Sequence, residues 1–232
     1  MKRATLEKRP QDMSSMFDEV AAKYDIMNTL LTGGLVHVWR SNTRDAVGAR
    51  RGLTVLDLAC GTGSSTNDYA KAGADVIGCD ISEGMITRGK VYYPHLTLIQ
   101  GDATDLPFGD GTFDIVTISY GLRNVQNTEK ALSEMFRVTK PGGKVVIAEF
   151  SKPATKFFRN FYRYFMATVM PYMARRISSD PEAYAYLFES ILDWHGQKKL
   201  AELMQDAGWR GVEYKNLCDG IVAIHRGIRP KA

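Results

Sequence analysis

Residues 54–66 read TVLDLACGTGSST. The first half of this stretch is apolar and predicts a buried strand, whereas the glycines of the second half predict a tight turn. Ser64 or Ser65 can then cap the start of a helix. Gly61 and Gly63 allow the backbone to approach a ligand where a Cβ would clash, and the helix N-terminus offers free N–H groups. The stretch therefore predicts a strand, a turn and a helix that form a cradle for an electron-rich ligand.

The next predicted strand supplies the acid that such a cradle needs for a nucleotide-type ligand. Residues 74–80 read ADVIGCD, and Asp80 follows the first strand at about the 20-residue spacing of a ribose-binding acid. Two features argue against a dinucleotide. Thr66 stands where a third glycine would fall, and Asp57 would repel a pyrophosphate but attract an ammonium or a sulfonium. The combination is similar to the S-adenosylmethionine site of class I methyltransferases.

Length and composition indicate how many domains the protein has and which kinds of binding site it lacks. The chain has 232 residues, enough for one large α/β domain, and a net charge of +4, which is too weak to argue for nucleic acid. Its three cysteines are scattered without metal-ligand spacing, so no metal site is predicted. Residues 1–12 are charged and predict a loose tail without a signal peptide, and no apolar run reaches the length of a membrane span. These features predict a cytoplasmic protein.

Strand and helix patterns alternate through the middle of the chain. The predicted strands are 54–59, 74–79, 96–100, 113–119 and 144–150. The intervening predicted helices are 65–72, 83–90 and 127–139, and residues 140–143 read as a break before the last of these strands. Such alternation predicts a parallel sheet with helices on both faces. Asp219-Gly220 predicts a closing hairpin between 212–217 and 221–225. The expected fold is therefore Rossmann-like, with seven mostly parallel strands and a terminal antiparallel hairpin.

Further helical segments flank this sheet. Apolar residues at helical spacing predict helices over 13–31 and 35–48, and later over 181–193 and 197–207. We predict one domain over 1–232, in which 1–50 forms a helical cover and 152–195 a helical insertion on the substrate side. The cover could simply shield the sheet edge, but Tyr24, Asp25 and Asn28 place polar groups on an apolar helix, as in a lid. Aromatic and basic residues alternate in 152–177, which is typical of an interfacial helix or of a core helix.

Polar residues follow successive strands at the edge where parallel sheets bind ligands. We expect Asp80 to accept hydrogen bonds from ribose hydroxyls, Thr62 to contact the methionine part, and Asp102 with Ala103 to flank an adenine. Asp102 and Ser119 could instead only cap loops. The predicted cofactor-binding residues are Asp57, Gly61, Thr62, Gly63, Asp80, Asp102, Ala103 and Ser119.

Several motifs resemble one family of enzymes. Residues 17–28, FDEVAAKYDIMN, and 120–125, YGLRNV, resemble motifs of the menaquinone/ubiquinone biosynthesis C-methyltransferases. Further segments similar to that family are 137–153, 184–191 and 223–227, so that the resemblance covers nearly the whole chain. Gly-Leu-Arg-Asn and Tyr-Asp-x-Met-Asn are far more specific than the glycine motif, which many methyltransferases share.

The resemblance implies methylation of a ring carbon of a polyprenylated hydroquinone such as demethylmenaquinol, with S-adenosylmethionine as donor and no metal. Arg123 and Asn124 are the implied catalytic residues. Arg123 would stabilise a developing phenolate, and Asn124 would orient the hydroxyl or a water, since neither side chain is a useful base. Tyr120 and His225 are weaker candidates. Arg123 could instead form an ion pair that only steadies the strand-to-helix turn, although a turn this short could be made more simply with Gly or Asn.

The implied substrate is a lipophilic quinol. From the aromatic and basic segment 152–177 we also expect contact with the inner membrane surface, and a homodimer is possible.

Two other functions remain compatible with the sequence. The chain could methylate another lipophilic or phenolic acceptor, including ubiquinone precursors. It could also be a methyltransferase-like binder of RNA or lipid without turnover. The intact glycine turn with Asp57 and Asp80 argues against a binder, and the absence of a Lys/Arg stripe argues against nucleic acid.

Overall fold

The computed structural model describes residues 6–20, 32, 34–164, 168 and 181–231. Helix α1 spans Pro10–Val20, so the predicted first helix begins three residues early, and its remaining part, 21–31, lies outside the described residues. The prediction of a loose tail over 1–12 is therefore wrong for residues 10–12, because a proline at the first helical position has its φ angle fixed for a helix. The lid residues Tyr24, Asp25 and Asn28 are likewise outside the described part of the chain.

A seven-stranded sheet forms the centre of the molecule. Its strands are β1 Thr54–Leu58, β2 Asp75–Asp80, β3 Thr97–Gln100, β4 Phe113–Ser119, β5 Thr139–Phe150, β6 Arg210–Leu217 and β7 Val222–Ile228. Their spatial order is β3-β2-β1-β4-β5-β7-β6. The first five strands pair in parallel, and β7 pairs antiparallel with both β5 and β6. The predicted α/β fold with a terminal antiparallel hairpin is confirmed.

Helices cover both faces of this sheet. After α1 they are α2 Leu35–Val47, α3 Ser64–Lys71, α4 Glu83–Tyr92, α5 Thr128–Val138, α6 Lys156–Tyr164, α7 Pro181–Asp193 and α8 Gln197–Asp206. Leu56 of β1 packs with residues of α5 and α8, whereas its neighbour Val55 packs on the other face with Tyr69 of α3 and Val47 of α2. Successive residues of a strand point to opposite faces, so strands buried on both faces need nearly continuous apolar sequence. This explains why the strands around residue 56 are easily recognised in the sequence.

The segment Lys140–Gly143 is a bulge and not the predicted break. Thr139 pairs with Phe113 of β4, and the register then shifts so that Lys144 pairs with Ile115. Gly142 has a φ of +82°, a conformation that glycine adopts without strain. The Arg229 guanidinium stabilises the approach to this bulge by donating hydrogen bonds to the carbonyl oxygens of Phe136 and Arg137, in the last turn of α5, and of Thr139. β5 therefore begins at Thr139 and not at residue 144.

No helix in the described ranges is long and apolar enough to cross a membrane. Of the aromatic segment 152–177, residues 152–155 have no regular secondary structure and are followed by α6, and residues 165–167 and 169–177 are outside the described residues. The division into an N-terminal cover and a substrate-side insertion stays a prediction.

Candidate functional site

A cavity of about 610 Å³ opens at the carboxyl ends of β1, β2 and β4. The predicted site residues that line it are Asp57, Gly61, Thr62, Asp80, Asp102, Ala103, Ser119, Arg123 and Asn124. Gly63 is the exception and does not line the cavity. The cavity continues past Arg123 into a region lined by side chains of α2, α6 and α7, so one space joins the two predicted parts of the site.

The glycine turn places backbone groups at the cavity wall. Gly61 has a φ of +56°, and a Cβ built on it would meet no atom within 4 Å, so this residue faces open space. Gly63, with a φ of +85°, instead packs against Leu98 and forms the N-cap of α3. The prediction that Ser64 or Ser65 caps this helix is wrong, because the cap residue is Gly63 and both serines lie within the first turn.

Asp80 combines a structural role with free acceptor capacity. Its Oδ2 accepts a hydrogen bond from the Gly61 amide at 2.8 Å, and its Oδ1 accepts one from the Ser82 amide at 2.9 Å. Burial raises the pKa of this carboxyl, while these backbone donors oppose the shift. A carboxylate has about four lone-pair sites, so two remain for a pair of hydroxyl groups.

Asp57 is the most deeply buried acid of the predicted site, with 1% exposure. Thr66 Oγ1 donates a hydrogen bond of 2.7 Å to its Oδ2. Burial raises the pKa of Asp57 to about 7, and the nearby Asp80 charge adds to the shift, although the Thr66 hydroxyl opposes it. A buried carboxyl with such a pKa gains its charge most easily when a cation is bound beside it.

The affinity for S-adenosylmethionine should therefore fall as the pH drops below about 7, approaching tenfold per pH unit, because protonated Asp57 no longer attracts the cationic ligand. Calorimetric titration between pH 5.5 and 8 measures this dependence. The Asp57→Asn variant should bind S-adenosylmethionine weakly at every pH, with an affinity that does not change with pH. An affinity of the native protein that does not change with pH would contradict the assignment.

The raised pKa of Asp57 also predicts that the free energy of unfolding decreases as pH rises from about 4 to about 7, since the folded state holds this proton to a higher pH than the unfolded state.

Asp102 and Ser119 differ in how far their polar atoms are already engaged. Asp102 Oδ1 accepts hydrogen bonds from the Thr104 amide at 2.8 Å and from its hydroxyl at 2.9 Å, so this oxygen caps its own loop. Ser119 Oγ is buried and has no hydrogen-bond partner within the described residues. A buried polar atom without a partner at a cavity wall is expected where a ligand completes the hydrogen bond.

These features fit S-adenosylmethionine. The Ser119 hydroxyl without a partner, the open space at Gly61 and the remaining acceptor capacity of Asp80 all belong to the lining of the same cavity. Asp80 would hold the ribose, Asp57 would face the positively charged methionine part, and the turn around Thr62 would bring backbone donors to it. When bound, this cofactor supplies an electrophilic methyl group on a sulfonium.

Arg123 forms a buried ion pair with Glu149, a partner that was not predicted from the sequence. Its Nη1 lies 2.9 Å from Glu149 Oε1 and also donates to the Tyr120 carbonyl, while the Arg123 amide donates to Glu149 Oε2 at 3.2 Å. Arg123 is 2% and Glu149 is 1% exposed. The guanidinium lies over the Phe150 ring, 5.2 Å from its centre. An acid near the end of the apolar strand 144–150 was the sequence signal for Glu149, because a buried acid requires a partner.

Asn124 is held from the opposite side by Tyr186 of α7. The Tyr186 hydroxyl lies 3.1 Å from Asn124 Oδ1 and 3.2 Å from the Met13 sulfur of α1. Burial raises the pKa of Tyr186 to about 12, so this hydroxyl stays protonated. His225 does not line the cavity; its Nε2 contacts the Gln197 carbonyl at 2.9 Å, which places this weaker candidate in a structural role.

Comparison with known proteins identifies the family. The model described as the ubiE/COQ5 methyltransferase family matches residues 4–229. The demethylmenaquinone methyltransferase of Beutenbergia cavernae is 53% identical over 226 residues, which cover 97% of this chain and 94% of that protein. The protein of the same name from Streptomyces avermitilis is 52% identical over 229 residues, covering 99% of both chains.

Solved structures agree on the fold. A SAM-dependent methyltransferase from Thermotoga maritima superposes with a TM-score of 0.68 at 16% identity, covering 93% of this chain and 99% of that one. Phosphoethanolamine N-methyltransferase 2 from Haemonchus contortus, solved with S-adenosylmethionine, has a TM-score of 0.61 at 16% identity, covering 82% of this chain and 53% of that one. The predicted cofactor and resemblance are confirmed: the chain belongs to the ubiE/COQ5 methyltransferase family, and its cofactor is S-adenosylmethionine.

Proposed function

We propose that this protein methylates a ring carbon of a polyprenylated hydroquinone, with demethylmenaquinol as the substrate. The observation that carries the proposal is the continuous cavity, which runs from the Asp80 wall to a large apolar region. The apolar part is lined by Trp39, Phe150, Phe158, Leu187, Phe188 and Ile191. An apolar region of this kind suits a naphthoquinol ring and the start of a prenyl tail. The relatives reported above carry the corresponding name, which supports the choice of substrate.

One region of the cavity would bind the cofactor, and the other would position the quinol. Asp57 and Asp80 would bind and orient the cofactor, and Arg123 and Asn124 line the same cavity. The quinol ring carbon would supply the electron pair of the new carbon–carbon bond, and the cofactor would supply the methyl group and keep the electrons of the carbon–sulfur bond. The hydroxyl proton and the displaced ring proton leave to solvent. Asn124 would orient the hydroxyl, and the apolar walls would exclude water from the reacting carbon.

The test is incubation with S-adenosylmethionine carrying a labelled methyl group. Demethylmenaquinol, a benzoquinol precursor of ubiquinone and a small phenol should be offered separately, each kept reduced, and products identified by mass. Label in the naphthoquinol, at a rate well above the other two, is the expected result. Preferential labelling of another acceptor would overturn the proposed substrate, and no label in any acceptor would favour a binder.

We also propose that the mouth of this cavity contacts the membrane in which the quinol resides. Phe157 of α6 is 87% exposed and Val38 of α2 is 54% exposed, while their neighbours Phe158 and Leu35 line the cavity. Lys156 is exposed beside Phe157. Exposed aromatic side chains next to a lysine suit the headgroup region of an anionic bilayer. A cytoplasmic enzyme at the inner membrane face would follow, and the homodimer stays a prediction.

Phe157→Glu should reduce association with anionic liposomes about tenfold or more, because it replaces an apolar anchor of roughly 1.5–3 kcal/mol by a charge that anionic lipids repel. Co-sedimentation measures the loss, and turnover of a long-chain quinol in liposomes should fall with it. Val91→Glu is the matched control, since Val91 is 74% exposed at the end of α4 and does not line the cavity. Equal behaviour of the two variants would refute membrane contact through α6.

A further inference from the structure

The Arg123–Glu149 pair carries no net charge at the predicted catalytic residues Arg123 and Asn124. Both side chains are buried, and their charges compensate each other at 2.9 Å. If the protein methylates a quinol as proposed above, the ring carbon becomes a strong nucleophile when the quinol oxygen carries negative charge. Stabilising that oxyanion requires a cation or donors aimed at it. A charge-compensated arginine supplies little net field, so another group is required.

The half-buried side chain of Lys8 lines the same cavity as Arg123 and Asn124. Among the described residues, Arg40, Arg44 and Lys130 also line this cavity, and Lys8 is the lysine of this lining that lies close enough to Arg123 and Glu149 to be affected by both charges. Its Nζ lies 5.6 Å from the centre of the Trp194 ring. Lys8 also faces Asp193 and His195 at the end of α7. Burial lowers the pKa of Lys8, with Asp193 and Glu149 opposing the shift and Arg123 adding to it.

Lys8 lies two residues before helix α1, and two sets of contacts fix the position of that helix. Asp18 Oδ1 accepts hydrogen bonds from the Ser82 hydroxyl and from the Gly84 amide, the latter at 2.9 Å, at the start of α4. At the other end, the Met13 sulfur lies 3.2 Å from the Tyr186 hydroxyl that also contacts Asn124. The segment that carries Lys8 is therefore fixed beside the cofactor wall and beside the predicted catalytic turn.

We propose that the Lys8 ammonium contacts the quinol oxygen next to the methylated carbon and stabilises it as the quinolate. The proton of that hydroxyl leaves to solvent, and Lys8 remains protonated throughout. The electron pair of the quinolate is delocalised onto the ring carbon, which would form the new carbon–carbon bond while the donor's methyl–sulfur bond breaks with its electrons on sulfur. The displaced ring proton would then leave to solvent. Lys8 thus acts as an electrostatic catalyst and not as a base, and Arg123 positions the turn that carries Asn124.

The decisive variants are Lys8→Met, which keeps the length and removes the charge, and Lys8→Arg, which keeps the charge. Arg9→Met is the matched control, because Arg9 pairs with Glu7 at the surface and does not line the cavity. Bound 1-naphthol serves as a probe, since its ionised form absorbs at longer wavelength than the neutral phenol. A cation within about 4–6 Å lowers the pKa of an acid by 1–3 units.

In Lys8→Met we expect the pKa of bound 1-naphthol to rise by about one unit or more, and kcat at neutral pH to fall about tenfold or more. The acidic limb of the kcat profile should move to higher pH by the same amount. Lys8→Arg should have a naphthol pKa and a kcat close to the native values, and Arg9→Met should match the native protein. The affinity for S-adenosylmethionine should be unchanged in Lys8→Met, Lys8→Arg and Arg9→Met.

An unshifted naphthol pKa with a native pH profile in Lys8→Met would overturn the proposal for Lys8, even where demethylmenaquinol is the confirmed substrate. Failure of the proposed function is seen separately, as a native enzyme that does not methylate demethylmenaquinol. A lower kcat in Lys8→Met without any change in the naphthol pKa or the pH profile would indicate a structural role for Lys8 and would also overturn the proposal.

Discussion

Replacing Glu149 with alanine should lower the free energy of unfolding by about 3–5 kcal/mol. The substitution leaves the Arg123 guanidinium buried, at 2% exposure, without its compensating carboxylate. It also removes the acceptor for the Arg123 amide at 3.2 Å and for the Phe150 amide at 2.8 Å. Each buried donor left unsatisfied adds its own desolvation cost.

Denaturant unfolding monitored by circular dichroism measures this loss. Glu213→Ala is the matched control, since Glu213 forms an ion pair with Arg226 in the same sheet but both side chains are 59% exposed. An exposed pair contributes at most about 1 kcal/mol, so the two variants should differ severalfold. Similar destabilisation by both substitutions would show that burial of the Arg123–Glu149 pair has no energetic consequence.

A double substitution separates the structural role of this pair from its catalytic one. Arg123→Met with Glu149→Leu removes both charges together, and apolar replacement of a whole buried pair is often neutral for stability. We expect stability near the native value and turnover within about tenfold of native, because the compensated pair supplies little net field to the substrate oxygen and positions the turn that carries Asn124. A loss of about 100-fold or more in the stable double variant would instead mean that Arg123 itself stabilises the substrate oxygen.

The sequence predicts the sheet well because its signals are local. Strands buried on both faces are continuously apolar, and a left-handed conformation at Gly61 favours glycine, so each feature is visible within a few residues. The bulge at 140–143 was missed because Arg229, some ninety positions along the chain, supplies the donors that stabilise it. Pro-Gly-Gly by itself is equally typical of a break between elements.

In the candidate site, too, the residues placed by local sequence are predictable, and those placed by contacts between distant residues are not. Asp57 and Asp80 follow their strands directly, so their position at the cavity is predictable from strand direction alone. The pairing of Arg123 with Glu149 joins residues of different elements, and no spacing rule indicates it. Lys8 was missed because it lies in a charged stretch that resembles a tail, and only the contacts of α1 with α4 and Tyr186 bring it to the cavity.

The second large effect concerns the cofactor. Asp80→Ala should weaken binding of S-adenosylmethionine by about 1.5–3 kcal/mol, or roughly 10- to 150-fold, because the variant lacks the charged acceptor for the ribose hydroxyls. The loss should be similar for S-adenosylhomocysteine, since both ligands carry the same ribose. Isothermal titration calorimetry measures both affinities.

The design must separate the ligand contact from the structural role of Asp80, which also accepts hydrogen bonds from the amides of Gly61 and Ser82. Asp75→Ala is the matched control, because Asp75 begins the same strand at its exposed amino end and does not line the cavity. Asp80→Asn keeps the shape of the side chain but replaces one acceptor oxygen by a donor, which then faces either a backbone N–H or a ribose hydroxyl. Its affinity should therefore fall between those of the native protein and Asp80→Ala. Native affinity in Asp80→Ala would mean that the ribose lies elsewhere on the cavity wall, with the Gly61 turn held by Asp80 for stability alone.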